Sequence, residues 1–163
     1  MTTPQPTGRI RGNDLVLTRR FRASIEDVWA SITESSSTAR WFGSWEGKPG
    51  VGNEIRVQMA FEDGQPWLTK NIEACEPPRR LVLTSAGSFA SRLELGLKAI
   101  GDDCELEFIH HAIDRARVGE VGPGWEYYLD NLVASRNGEP LPTFETYYPA
   151  QKAYFLGLAS ESA

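Results

Sequence analysis

Residues 89–111 read FASRLELGLKAIGDDCELEFIHH. In the second half Cys104, Leu106, Phe108 and His110 point one way, and Glu105, Glu107, Ile109 and His111 the other. In the first half Phe89, Ser91, Leu93, Leu95 and Leu97 share a face against Arg92, Glu94 and Lys98. Gly101-Asp102-Asp103 supplies a turn between them. A period of two on both sides of a tight turn is an antiparallel hairpin with an apolar face and a wet one.

Upstream the same pattern recurs. NEIRVQMAF (53–61) sets Ile55, Val57, Met59 and Phe61 against Glu54, Arg56 and Gln58, and the turn EDGQP follows. Residues 67–75 and 80–85 read as two further strands, separated by Pro77-Pro78, which offer no ladder donors. DLVLTRRFR (14–22) is a strand with Leu15, Leu17, Arg19 and Phe21 on one face. In ASIEDVWASITE, Ser24 is the expected N-cap with Asp27 three residues on, and Ile25, Val28, Trp29 and Ile32 make the buried stripe. SSSTARWF continues as a second short helix, stopped by Gly43. Residues 1–12, with Pro4, Pro6 and Gly8, read as a loose arm.

Downstream, Gly122-Pro123-Gly124 precedes WEYYLDNLVASRN (125–137), the longest expected helix. A helical wheel puts Trp125, Leu129, Leu132 and Arg136 toward the sheet, flanked by Tyr128 and Val133, with Glu126, Tyr127, Asp130 and Ala134 facing away. Gly138 caps it, and a last short helix is expected at 149–159. Tyr147, Tyr154, Phe155 and Leu158 are too apolar to be left in water, so this tail should dock on the domain or on a second copy. The class is α+β: a curved antiparallel sheet wrapped on a C-terminal helix, with two short helices after the first strand. The organisation read from this is an arm (1–12), one domain (13–142) and an extension (143–163).

At 163 residues, 40% hydrophobic and 24% charged, the chain suits one globular core without disulfide or metal. No apolar run approaches the ~18 residues of a membrane span, and the N-terminus lacks a leader's apolar core, so the chain is read as cytoplasmic. A net charge of −5 argues against nucleic acid as a partner. Residues 1–101 hold 13 basic and 11 acidic side chains (net +2), and residues 102–163 hold 4 and 11 (net −7). That acidic end suits a basic partner. Cys75 and Cys104, without paired spacing, are read as reduced and structural.

His110-His111 cannot hold one ion, because neighbours on a strand face opposite sides, and no other histidine exists. His110, on the core-facing side with Phe108, is read either as a satisfied core histidine or as a polar handle in an apolar cavity. With Glu126 and Asp130 turned away and Glu94, Glu105 and Glu107 on the wet face, His110 lacks a catalytic partner. Trp41, Phe42, Trp45 and Trp67 are placed around an entrance. Arg19, odd on an apolar face, is paired with an internal acid, sits at a wet strand end, or meets a ligand carboxylate.

Val28-Trp29 followed by Trp41-Phe42, then Pro77-Pro78-Arg79-Arg80-Leu81, then Gly124-Trp125 with Tyr128-Leu129, together resemble the START-like (SRPBCC, birch-pollen-allergen-like) superfamily over about residues 14–141. Within it the chain is most similar to bacterial homologues of the C-terminal domain of the heat-shock chaperone ATPase activator. The resemblance implies a helix-grip fold enclosing a hydrophobic cavity, and matches His110 to a position where the family often carries histidine. Val51-Gly52-Asn53 departs from the usual diglycine before the third strand, and the tail after Pro142 has no counterpart in the pattern. The resemblance does not imply one activity; the function read for this chain is binding of a small apolar or aromatic molecule in the cavity, without obligatory metal or cofactor. Val57, Met59, Phe61, Leu93, Leu95, Leu106 and Phe108 would form the walls, Trp41, Trp45 and Tyr128 the lid, and His110 the handle. The alternatives are a chaperone-linked interaction module, as monomer or homodimer, and a cyclase- or dehydratase-like enzyme using the same cavity.

Overall fold

A computed structural model describes residues 3–87 and 90–161. The strands are β1 (Arg9–Arg11), β2 (Asp14–Phe21), β3 (Trp45–Gly47), β4 (Glu54–Gln58), β5 (Trp67–Glu76), β6 (Arg80–Ser85), β7 (Ser91–Ile100) and β8 (Asp103–His111). They form one antiparallel sheet in the order β1-β2-β8-β7-β6-β5-β4-β3. Helices α1 (Ile25–Thr33) and α2 (Ser35–Thr38) follow β2, α3 (Val118–Asn137) crosses the concave face, and α4 (Lys152–Glu161) ends the described chain. This is the helix-grip arrangement. Phe89 lies outside the described residues, as do the first two residues of the arm.

The hairpin that opened the reading is β7 and β8, in a register that aligns Leu93 with His110, Leu95 with Phe108 and Leu97 with Leu106. One inward row therefore runs Leu15, His110, Leu93, Leu83, Ile72, and the next Leu17, Phe108, Leu95, Leu81, Cys75. Ser24 caps α1 by accepting from the Asp27 N–H at 3.2 Å. The outer face is not simply wet: Val16, Val82 and Ile109 are buried there. Glu94 stands in register between Ile109 and Val82, and pairs with Arg80 at 2.9 Å and His111 at 2.8 Å. Ion pairs between long side chains roof that apolar strip.

Three readings are corrected. The long helix begins at Val118, seven residues before Trp125, with Gly122-Pro123-Gly124 inside it. Gly122 is required by packing, since a Cβ there would lie 2.5 Å from the Phe155 ring. The face of α3 turned from the sheet is not solvated either: Glu126, Tyr127 and Ala134 are buried, with Glu126 only 1% exposed. The supposedly loose arm contains β1, and Thr7 and Gly8 bind Glu126.

The common cause is a further layer that the helical wheel could not include. The tail runs back over α3, burying Tyr147 and Phe155 against it. Arg19 enters from the sheet side, donating to Glu126 at 2.8 Å and Asp130 at 3.0 Å. Glu126 also accepts from the Thr7 hydroxyl and the Gly8 N–H, and Asp130 from the Tyr147 hydroxyl at 2.7 Å. Of the sequence alternatives for Arg19, the internal acid is the one present.

Breaking this buried pair leaves a carboxylate without its cation, so Arg19→Met is expected to lower unfolding free energy by about 3 kcal/mol in equilibrium denaturation. Arg19→Met with Glu126→Gln should lose less than the sum of the single changes. Ending the chain at Pro142 removes Tyr147 and Phe155. A clear fall in melting temperature is expected, and an unchanged one would show that the tail adds nothing to stability.

Candidate functional site

Two spaces lie between the sheet and α3. The smaller, about 350 Å³, sits under α1 and α2 and is lined by Trp29, Trp41, Trp45, Val57, Leu95 and Phe108, among others. The larger, about 850 Å³, opens toward the start of α3 and is bordered by Met59, Glu62, His110, Ile113, Arg117 and Tyr128, among others. Phe42, Lys70, Leu93 and Trp125 border both, forming their shared wall. Volumes of this size suit small organic ligands.

The lid tryptophans are tethered by their polar edges. Trp41 donates to the Ser31 carbonyl at 3.0 Å and Trp45 to the Thr33 carbonyl at 2.8 Å, so both hang from the end of α1 with their apolar bodies toward the smaller space. Trp125 carries the wall: its ring lies 4.4 Å from Phe108, 6.1 Å from Phe42 and 5.8 Å from Tyr128, centroid to centroid. Its indole N–H donates to His110 Nδ1 at 3.1 Å. Indole is a donor only, so this bond places the neutral imidazole's proton on Nε2. Burial, then the positive charge of Lys70, push the His110 pKa down to about 4, so the ring is neutral at pH 7. Tyr128 gives its hydroxyl to Glu62 at 2.6 Å; burial first, then that bond, raise its pKa and keep it protonated.

Of the residues read as site from the sequence, Trp41, Trp45, Val57, Leu95 and Phe108 border the smaller space. Met59, His110 and Tyr128 border the larger, and Leu93 both. Phe61 and Leu106 border neither: Phe61 packs edge-on against Tyr127, and Leu106 is fully buried in the row of Arg19. Trp67 borders neither space and is 43% exposed under the Arg56 guanidinium. His111 faces outward between Glu94 and Asp14.

Two wall residues escaped the sequence reading. Trp125 stood at the centre of the helix stripe and was counted as packing alone. Lys70 shares the inward side of β5 with Leu68 and Ile72, a period-two signal for an inward lysine. Among the described residues there is no metal-binding group of histidines, cysteines and acids. No described helix is long and apolar enough to cross a membrane.

The family model for Activator of Hsp90 ATPase homolog 1-like proteins matches residues 22–135. The chain belongs to that family. Its structure is similar to the crystal structure of CalU16 from Micromonospora echinospora, at 26% identity over 95% of this chain and 97% of that one, with a TM-score of 0.78. DynU16, a protein of the dynemicin biosynthetic locus, shares the fold at 20% identity over 84% of this chain and 50% of that one, with a TM-score of 0.68. So does the Aha1 dimer from Colwellia psychrerythraea, at 15% identity over 75% and 94%, with a TM-score of 0.64. No curated protein matches the chain. In this member of the Aha1-like family, the matched segment holds the whole of both cavity linings but stops short of Thr7, Arg19 and Tyr147.

The lowered His110 pKa has a direction that can be tested. The unfolded histidine (~6.5) binds a proton that the folded one refuses down to about pH 4, so the unfolded state gains protons as pH falls through this window. Stability should therefore fall from pH 6.5 to 4. His110→Gln should flatten that part of the curve, whereas His111→Gln should leave the His110 contribution in place.

Proposed function

We propose that this Aha1-like protein binds a small apolar, ring-bearing molecule between the sheet and α3, with His110 holding a polar group. The observation that carries the reading is the shared aromatic wall. Phe42, Phe108, Trp125 and Tyr128 stand in mutual ring contact with preformed space on both sides. Aromatic side chains facing a void forgo contacts that a ligand would restore. His110 has Nδ1 occupied by Trp125, which leaves Nε2–H as the donor for a ligand oxygen.

The CalU16 and DynU16 likenesses support the fold on which this reading rests, and DynU16 itself is a protein of the dynemicin biosynthetic locus. The family description instead suggests contact with a chaperone, for which the net −7 of residues 102–163 is the favourable charge. That interaction would weaken as salt screens it, whereas cavity binding of a neutral molecule would not.

N-phenyl-1-naphthylamine, a neutral dye, separates the two. It is expected to bind at one site per chain and to quench tryptophan fluorescence. Phe108→Trp should fill the smaller space and abolish binding while the melting temperature stays near wild type. His110→Leu should keep the fold and weaken binding of an oxygen-bearing analogue by about 1–3 kcal/mol, since that oxygen loses its donor. Absence of saturable dye binding by the folded wild-type protein would defeat the cavity reading.

A further inference from the structure

Lys70 is 6% exposed, yet none of the ion pairs or hydrogen bonds of the described residues engages its ammonium. Its stem rises from the inward side of β5 in the wall common to the two spaces. Among the described residues, the fully enclosed polar side-chain atoms that lack a partner are Asn131 Oδ1 and Gln151 Oε1. Lys70 Nζ is not one of them, so it borders open space rather than packed protein. Glu62 is the acid whose field reaches it, but that carboxylate lies beyond ion-pair distance and already takes the Tyr128 hydroxyl. Burial lowers the pKa of the amine and Glu62 opposes that shift.

A buried cation with no counterion is costly, and in folded proteins such a charge is nearly always met by an anion. His110, which with Lys70 borders the larger space, offers a second donor in its Nε2–H, and its titration already feels the lysine's charge. Two donors beside an aromatic wall describe a receptor for an oxyanion on an apolar body. We infer that Lys70 is the anion-binding residue of the cavity and that the natural ligand is an aromatic carboxylic acid, its ring against Trp125 and Phe42 and its carboxylate on the ammonium. This inference rests on the cavity reading above and adds to it the charge of the ligand. Glu54, Glu62 and Asp114 also border the larger space, with Arg117, so the compartment as a whole does not favour anions. Selection of an acid would therefore be attributable to Lys70 and not to a general positive field.

The test uses a matched pair of probes, 2-naphthoate and 2-naphthalenemethanol, titrated into the full-length protein and followed by tryptophan fluorescence and calorimetry. Wild type is expected to bind the acid at least tenfold more tightly than the alcohol. Lys70→Met should abolish that preference while leaving alcohol affinity within twofold, and should raise the melting temperature of the ligand-free protein, because an unpaired buried charge is gone. Equal affinity of wild type for the two probes, or an acid preference that survives in Lys70→Met, overturns the inference, the first without any variant. Lys70→Gln serves as a second neutral side chain should Lys70→Met not fold, with the same expected loss of preference. Saturable binding of N-phenyl-1-naphthylamine with no preference between the naphthyl probes would sink the role of Lys70 and spare the cavity. Failure of the dye as well would sink both.

Discussion

The carboxylate of Glu126, buried between the long helix and the N-terminal strands, is the constraint on which the rest of the structure depends. A buried acid is tolerated only when its oxygens are filled, and here the Arg19 guanidinium, the Thr7 hydroxyl and two backbone N–H groups fill them. Those donors come from the sheet and from the first strand's approach, so α3 has one rotational setting over the sheet that satisfies them all. Once Glu126 is turned toward Arg19, its neighbour Trp125 faces Phe108 and His110, and Tyr128 reaches Glu62. The cavity wall is thus a consequence of an ion pair outside the cavity.

The sheet was legible because its signal is local. Each strand carries its own period of two, and β7 and β8 lie beside one another in the chain as in space. The inward direction of Leu93, Leu95, Phe108 and His110 follows from that alternation alone. The long helix was legible only in its second half. Gly119, Gly122 and Pro123 argue against helix when read singly, and the two glycines make sense only once α4 is known to press Leu156 and Phe155 onto them. The helical wheel misplaced Glu126 for the same reason: it allowed one buried face, and α3 has a sheet on one side and the tail on the other. Lys70 was missed differently. Its strand was identified but its faces were not assigned, and a lysine in line with Leu68 and Ile72 is an anomaly only when those faces are compared.

The two compartments have different chemistry although they share a wall. Under α1 and α2 the lining is almost wholly apolar, with the Trp41 and Trp45 nitrogens already bonded to helix carbonyls. Toward the start of α3 it mixes acids, an arginine and His110 with the rings. A molecule lying across the wall would keep its apolar end in the first and its polar end in the second. The Aha1-like fold, shared with proteins of low sequence identity, supplies the grip of helix on sheet. In the proposed reading, a few side chains such as Lys70 and Trp125 select what it binds.

The ends of the described chain also hold each other. The Pro4 carbonyl accepts from Gln151, a separation of 147 positions, and the Gly8 carbonyl accepts from the Tyr154 hydroxyl, 146 positions away. Phe155 meanwhile lies against Gly8 and Gly122 together. Contacts so distant in sequence carry a large loop-closure cost, which is smallest when the sheet and α3 already hold the two segments together. The converse applies in the folded protein. A terminal segment ordinarily frays by itself, but here release of residues 4–8 strips partners from 151–155, and release of the tail strips them from the arm. Local opening at the two ends should be a single event, visible as matched hydrogen-exchange rates at opposite ends of the chain.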